Sequence, residues 1–425
     1  MVQRLRAIVR STPGRLTAAM AILLVAGIAY GVTAFTGSAQ AKSHVASVRT
    51  SSGPLTVTAQ SLYRSLSDAD ATAAAAFLSA GADPPELRQR YLDDISSAGA
   101  SLAQISSGAA GSSAALNTLA TQLPVYTGLV ETARANNRLG YPVGAAYLRE
   151  ASNLMRATLL PAANDVYLAQ TQRLNRDHNG GDGYPYVSVV LGIVALAGLV
   201  LVQRYVSRRT RRLVNPGLAA ATLLVLAALI YQNLAWVNLN SHLHSAQANG
   251  SGQVELLAQA RIAALQARAD EALTLVARGS GGAFEQDFTT TMHRLVGVDG
   301  NGGLLATAAS EATDPAVRAD VDRAVDNVHA WQQVHSALRK NDNDGKYTLA
   351  VGQAIGTRPT DASTMFTAVD GALGDGIRAT NVTFSDQATA AAGAVEAVGI
   401  VVIILTLLTL AGVAIGVQRR IAEYR

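Results

Sequence analysis

The chain has 425 residues, a formal net charge of +4, 49% hydrophobic and 15% charged residues, and no cysteine. The missing cysteines exclude a disulfide framework, a thiolate metal site and a cysteine nucleophile. So few charges on so apolar a chain mark a membrane protein rather than a soluble globular one.

In chain order, residues 1–15 form a basic N-terminus with Arg4, Arg6, Arg10 and Arg15 and no acid, and residues 16–36 form a first apolar run. At ~1.5 Å per residue, ~20 residues cross the ~30 Å hydrocarbon layer. A small-residue cleavage motif follows at Ala39, Gln40 and Ala41. The run is nevertheless longer than the ~7–15 residues of a signal peptide, which favours an anchor over a cleaved leader and leaves both open. Further runs at 185–203, 216–236 and 397–417 give four transmembrane helices in all, with Tyr184, Tyr186 and Trp236 at an expected interface. Between the second and third, residues 204–215 carry Arg204, Arg208, Arg209, Arg211 and Arg212 without an acid. Each arginine costs about 2.5–3.5 kcal/mol at a membrane centre, so this loop is expected in the cytoplasm. The tail, 418–425, adds Arg419, Arg420 and Arg425.

With both termini and the loop inside, the inner segments hold twelve arginines and one acid, a charge of +11, and the remainder carries −7. The positive-inside rule therefore predicts a multi-pass protein of the cell membrane with cytoplasmic termini. An acidic exterior argues against nucleic acid as a partner.

The two outer segments, 37–184 and 237–396, read as helical. Leu55, Ala59, Leu62, Leu66, Ala69, Ala73 and Ala76 alternate steps of four and three, the seam of a packed helix. Leu116, Leu119, Leu123, Tyr126, Val130, Ala133 and Asn137 repeat it, as do Leu148, Ser152, Met155, Leu159, Ala162, Val166 and Ala169. A fourth helix is expected from Pro85 to about Ile105. Ile262, Leu265, Ala269, Ala272 and Val276 echo the first seam about 200 residues on, and Val321, Ala324, Val328, Trp331, His335, Leu338 and Asp342 match the third helix at an offset of 205. The expected fold is an all-α membrane protein: four transmembrane helices and two tandem extracytoplasmic bundles, related by internal duplication.

Catalytic signals are thin: no phosphate-binding glycine loop, no HExxH and no nucleophile elbow, so neither enzyme activity nor a cofactor is expected. His242 and His244 lie two apart and point to different sides of a helix, unsuited to a shared metal. Asn341 to Gly345 faintly resembles a calcium loop, but it would put Lys340 and Val351 where carboxylates are needed. His335 and Asn137 fall on seams, where a polar group must be hydrogen-bonded or near a bundle end. Gly27 with Gly31, and Gly412 with Gly416, allow close helix approach, within the four-helix set or in a homo-dimer.

At 126–138, Tyr-Thr-Gly-Leu-Val-Glu-Thr-Ala-Arg-Ala-Asn-Asn-Arg, followed by Pro-Val-Gly-Ala-Ala-Tyr-Leu-Arg-Glu-Ala-Ser at 142–152, the sequence resembles an actinobacterial membrane-protein family, the GlnX type of the glutamate and aspartate sensing system. The resemblance implies a link between an extracytoplasmic amino-acid-binding lipoprotein and a cytoplasmic serine/threonine kinase. Tyr126, Glu131, Arg134, Asn136 and Arg138 would then form an outer partner face. Arg204, Arg208, Arg209, Arg211, Arg212, Arg419 and Arg420 would dock the kinase or bind anionic lipid. The alternatives are a direct small-molecule sensor and a structural envelope protein. A transporter is disfavoured because the apolar runs lack acidic and basic residues in their middles.

Overall fold

The structure is a computed structural model and describes residues 12–79, 84–108, 113–181, 184–210 and 215–422. Among the described residues there are helices and no strands. In chain order they are α1 (Thr12–Ser47), α2 (Gly53–Phe77), α3 (Pro85–Gly108), α4 (Ala114–Arg138), α5 (Val143–Leu154), α6 (Leu160–Gly181), α7 (Tyr186–Thr210) and α8 (Pro216–Ala246). There follow α9 (Gln253–Val276), α10 (Gly282–Val296), α11 (Gly303–Glu311), α12 (Pro315–Asn343), α13 (Tyr347–Ile355), α14 (Ala362–Glu396) and α15 (Val398–Ala422). Single π turns at Val48–Ser52, Met155–Leu159 and Gln247–Gly252 join α1 to α2, α5 to α6 and α8 to α9. Among the described residues, four helices are long and apolar enough to cross a membrane, and the contacts divide the chain into two compact units.

The membrane unit takes in the chain up to Val48, Arg176–His244 and the stretch from Gln387. Leu16, Leu23 and Tyr30 of α1 recur every seven residues on its buried side with Leu199, Leu218, Val225 and Val402, while Ile22, Val25, Ile28 and Val32 stay exposed, as a lipid-facing surface requires. Small residues set the helix spacing. A Cβ on Gly31 would lie 2.8 Å from Thr406 Cγ2 on α15, and one on Gly217 would lie 2.8 Å from both the Gly412 oxygen and Gly416 Cα. The two glycine pairs therefore pack within the four-helix set. One polar chain crosses the set: the Tyr30 hydroxyl donates to Gln232 Oε1 at 3.1 Å, and Gln232 Nε2 donates to Ser188 Oγ at 2.6 Å.

The second unit holds Arg49–Asn175 and Ser245–Asp386. The seams lie where the spacing puts them: Leu62, Leu66, Leu119, Tyr126, Leu148, Met155 and Leu159 are buried, as are Val321, Val328, Trp331 and Leu338. One position slips. Ala169 is exposed and Gln170 buried instead.

Two apolar clusters fill this unit, one drawn mostly from the later segment around Leu265, Val321 and Trp331 and the other from both segments. The shared cluster joins Leu62, Leu66, Tyr126 and Met155 to Leu273, Leu275, Leu338 and Ala350. The cause lies in α2 and α9, which are alanine-rich and buried on every side from Ser65 to Ala76 and from Ala267 to Val276. Neither has a polar face to give to water, so each must be covered by the other segment as well as its own. Element order runs in parallel through both segments, a long buried helix, a second layer, then the seam helices α4 and α12, each ending at a left-handed glycine, Gly140 and Gly345.

Because backbone atoms flank Gly217, we expect Gly217→Ala to cost about 1–3 kcal/mol by overpacking. Gly393→Ala, where a Cβ meets nothing, is expected to be neutral; thermal unfolding in detergent compares the two.

Candidate functional site

A helix buried on all sides should be wholly apolar, yet α2 buries Asp68 and Asp70 and α9 buries Arg268, Asp270 and Glu271. Asp70 and Asp270 stand 200 apart, each following an alanine, Ala69 and Ala269. Buried charges persist only when paired and hydrogen-bonded, and the surrounding helices supply the partners in three groups.

The first group gathers on Asp68. Arg90 of α3 forks onto it, Nε to Oδ1 at 3.1 Å and Nη2 to Oδ2 at 3.0 Å, and Arg64 lies 3.6 Å away. Arg90 also approaches Asp370 of α14 at 3.9 Å, and Asp370 is held by Arg261 of α9 through Nε at 2.5 Å and Nη2 at 2.9 Å. Asp94, one turn beyond Arg90, has a buried Oδ2 without a partner. Burial, reinforced by the Asp68 charge, pushes its pKa up to about 7.

The second group centres on Arg156, carried by the π turn Met155–Leu159. Its Nη1 bonds Asp270 and lies 3.9 Å from Asp287 of α10, while its Nε is 3.8 Å from Asp70. One arginine from the first segment thus faces aspartates of both. Ser152 Oγ also donates to Asp70 Oδ2 at 2.8 Å. Burial raises the pKa of Asp70 and takes that of Asp270 up to about 7 against the pull of Arg156.

The third group surrounds Glu271, which is wholly buried. It accepts from Trp331 Nε1 at 3.1 Å and meets His335 Nδ1 at 2.9 Å, and Arg268 pairs with its other oxygen. His335 Nε2 reaches Glu285 at 3.0 Å, and Arg339 Nε lies 2.9 Å from Glu285. Phe288 stacks on the imidazole with centroids 3.7 Å apart. Burial works against the His335 cation, but carboxylates on both nitrogens outweigh it and lift its pKa to about 9. Burial likewise opposes Glu271 and Glu285, and the bonds from His335 hold both below their ordinary values. The arrangement is a set of linked ion pairs whose protonation and pairing can change together.

Among the residues expected at an outer partner face, the structure separates the exposed from the buried. Glu131 is half exposed, Arg138 is exposed, and Asn136 is half-buried with Nδ2 donating to the Thr132 oxygen. Tyr126 and Arg134 do not belong to that face. Tyr126 is a core residue with no exposed surface, and burial together with Asp70 pushes its pKa well up. Arg134 is buried, 3.1 Å from Glu131 and 5.8 Å above the Tyr91 ring. The helical period that places Tyr126 on the seam also turns Arg134, two turns on, inward. Arg204, Arg208 and Arg419 are exposed; the side chains of Arg209 and Arg420, and all of Arg211 and Arg212, lie outside the described residues. His242 Nδ1 meets Gln387 Oε1 at 2.8 Å. Asn137 donates to the Phe77 oxygen at 2.9 Å, as a seam amide must.

Sequence reasoning passed over Asp68, Asp70, Arg90, Arg156, Asp270 and Glu271. The available signal was Ala-Asp at both 69–70 and 269–270 inside alanine-rich seams.

Residues 44–179 match a family model described as an actinobacterial sensor domain, a stretch that takes in α2 to α5 whole and most of α6. The match points to a sensing or signalling role. No curated protein and no solved structure matches the chain.

Truncating Glu271 to alanine removes the acceptor of Trp331 and one partner each of His335 and Arg268, and is expected to cost about 3–5 kcal/mol in chemical unfolding of the whole chain. His335 has a folded pKa of about 9 against an ordinary 6.5, so its contribution to stability is complete below about 6.5 and is lost as pH rises through 9. Asp94 and Asp270, raised to about 7 from 3.8, act with the same sign over the lower window. The unfolding temperature is therefore expected to fall from pH 6.5 to 9, and His335→Gln to flatten that slope.

Proposed function

We propose that this chain is a non-enzymatic transmembrane signal relay whose second unit senses an extracytoplasmic event and whose short basic segments transmit it inside. The observation that supports the reading is helix continuity. Helix is unbroken in the chain from Gly14 to Phe77 and from Pro216 to Val276, so two of the four apolar spans lead without a loop into α2 and α9, the helices that bury Asp70 and Asp270. Packed helices pass a signal by shifts of about 1–2 Å. Such a shift needs a partner that binds two arrangements with different affinity, and linked ion pairs are well suited to hold two arrangements.

In this reading the partner outside is an amino-acid-binding lipoprotein and the partner inside a serine/threonine kinase, with both termini cytoplasmic and the two segments products of a duplication. The turn between α4 and α5 is the proposed docking point. Arg138, Leu139, Tyr141 and Val143 are exposed there, Leu139 by 67% and Tyr141 by 57%, and clustered large apolar side chains on a polar surface mark an interaction site. Inside, Arg204, Arg208, Arg209, Arg211, Arg212, Arg419 and Arg420 meet the kinase and anionic headgroups, the latter worth about 1 kcal/mol per arginine.

Affinity capture of the tagged chain from membranes, with and without glutamate, tests this. Recovery of a solute-binding lipoprotein and a kinase is expected, with the lipoprotein lost from a Leu139→Ser, Tyr141→Ser variant that keeps its unfolding temperature. Recovery of neither protein from the unaltered chain refutes the relay.

A further inference from the structure

A cavity of about 150 Å³ opens in the second unit where α2, α6, α9 and α10 meet. At ~10–15 Å³ for each water, it has room for about ten, or for a solute of roughly ten non-hydrogen atoms or fewer. Two of the lining residues are charged, and the charges are opposite: Glu255 of α9 and Arg294 of α10.

No ion pair joins them. Among the described residues Arg294 has no hydrogen-bond or ion-pair partner, and Glu255 meets no cation, accepting only from Gln259 Nε2 at 3.2 Å. The arginines that reach between α2 and α9 are otherwise committed, Arg64 and Arg90 to Asp68, Arg156 to Asp270 and Arg261 to Asp370. Each of the two free charges is felt by a tyrosine that lines the cavity. Burial, then the Glu255 carboxylate, pushes the Tyr167 phenol up to about 12, whereas burial raises Tyr63 against the pull of the Arg294 cation. The cavity therefore has a negative end at Tyr167 and a positive end at Tyr63. Gln266 Nε2 lies 3.5 Å from the Tyr63 hydroxyl, and Glu255 and Gln266 stand about three turns apart on α9, ~16 Å along its axis. Opposite charges held apart in one cavity match a solute that carries both charges with a spacer between them.

We infer that this cavity binds a small ω-amino acid, its ammonium group at Glu255, its carboxylate at Arg294 and a short methylene chain between them. Hydrogen bonds between ionised partners are the strong ones, and Ala258 and Ile262 of α9 offer the chain an apolar wall. A monocarboxylate or a monoamine leaves one charge unmet, and an α-amino acid is too short to meet both. Bound there, the ligand ties α9 to α10 against two tyrosines of the first segment, and so adds a contact between the two segments. The site owes nothing to the α4–α5 turn or to a protein partner.

Full-length protein in lipid nanodiscs, titrated calorimetrically with 5-aminopentanoate at fixed ionic strength, tests the inference; pentanoate, pentylamine and glycine serve as comparisons. Saturable binding of 5-aminopentanoate is expected, with each comparison weaker by about tenfold or more, the worth of one charge-assisted hydrogen bond. Glu255→Gln should weaken 5-aminopentanoate to the same degree and erase its advantage over pentanoate, and Arg294→Gln should erase its advantage over pentylamine. Neither side chain is buried, so both variants are expected to keep their unfolding temperature, and the comparison of ligands within each variant reads the lost charge alone. Asp344→Asn, which changes an exposed acid paired with Lys340 and Lys346, should leave all four ligands as they were. Absence of 5-aminopentanoate binding, equal binding of pentanoate or pentylamine, tighter binding of glycine, or indifference to either glutamine variant would each overturn the assignment. None of these results bears on the affinity capture, where the Tyr141→Ser variant reports on another surface.

Discussion

The second unit depends on the contact of two helices that have no outside. Alanine at positions such as 69, 73 and 76 on α2, and 260, 264 and 267 on α9, keeps side chains short and lets neighbouring helices close over every face. Close packing of that kind leaves no water to solvate Asp68, Asp70, Asp270 or Glu271. The arginines of the surrounding helices are therefore a requirement of the fold. Arg90, Arg156 and Arg261 each come from one element and reach a carboxylate on another. Apolar contact holds the helices together, and the ion pairs fix which helix lies against which.

Such a core is stable only while each pair stays complete. Replacement of a whole buried pair by apolar groups is often harmless, whereas loss of one member is severe. The carboxylates fall on both sides of this balance. Glu271 has three donors and stays ionised, while Asp94 and Asp270 lack enough positive charge and are lifted toward neutral pH. Asymmetry of this kind lets one group change state while its neighbour does not, a property a sensing element needs and a purely structural core does not.

Much of the architecture was legible in the sequence because it follows from periodicity and hydropathy, which are local. The four apolar runs, the seam from Leu55 to Ala76 and the seam from Val321 to Leu338 depend on nothing beyond their own residues. His335 could be singled out because a polar residue on a seam breaks a local rule. The charge network could not be read the same way. Asp70 beside Asp68 looks like a solvated edge until α9 is known to cover it, and Arg156 looks like a surface arginine until a π turn rotates it inward. Arg134 misled for the opposite reason: an arginine near a bundle end suggests exposure, but Tyr91 and Glu131 take it in. Pairing between residues 114 or more positions apart, as in Arg156 with Asp270, leaves no trace in spacing.

The shared cluster that unites Leu62 and Tyr126 with Leu273 and Leu338 also governs how the chain is made. A growing polypeptide presents the stretch from 53 to 175 long before α9 exists, and until residues 253–276 arrive that stretch has an apolar face with nothing to cover it. Two membrane spans and a basic loop must be synthesised in the interval. Contacts of such sequence separation form slowly, so the newly made first half has to persist as an incomplete, adhesive intermediate that a chaperone or the membrane surface must shield.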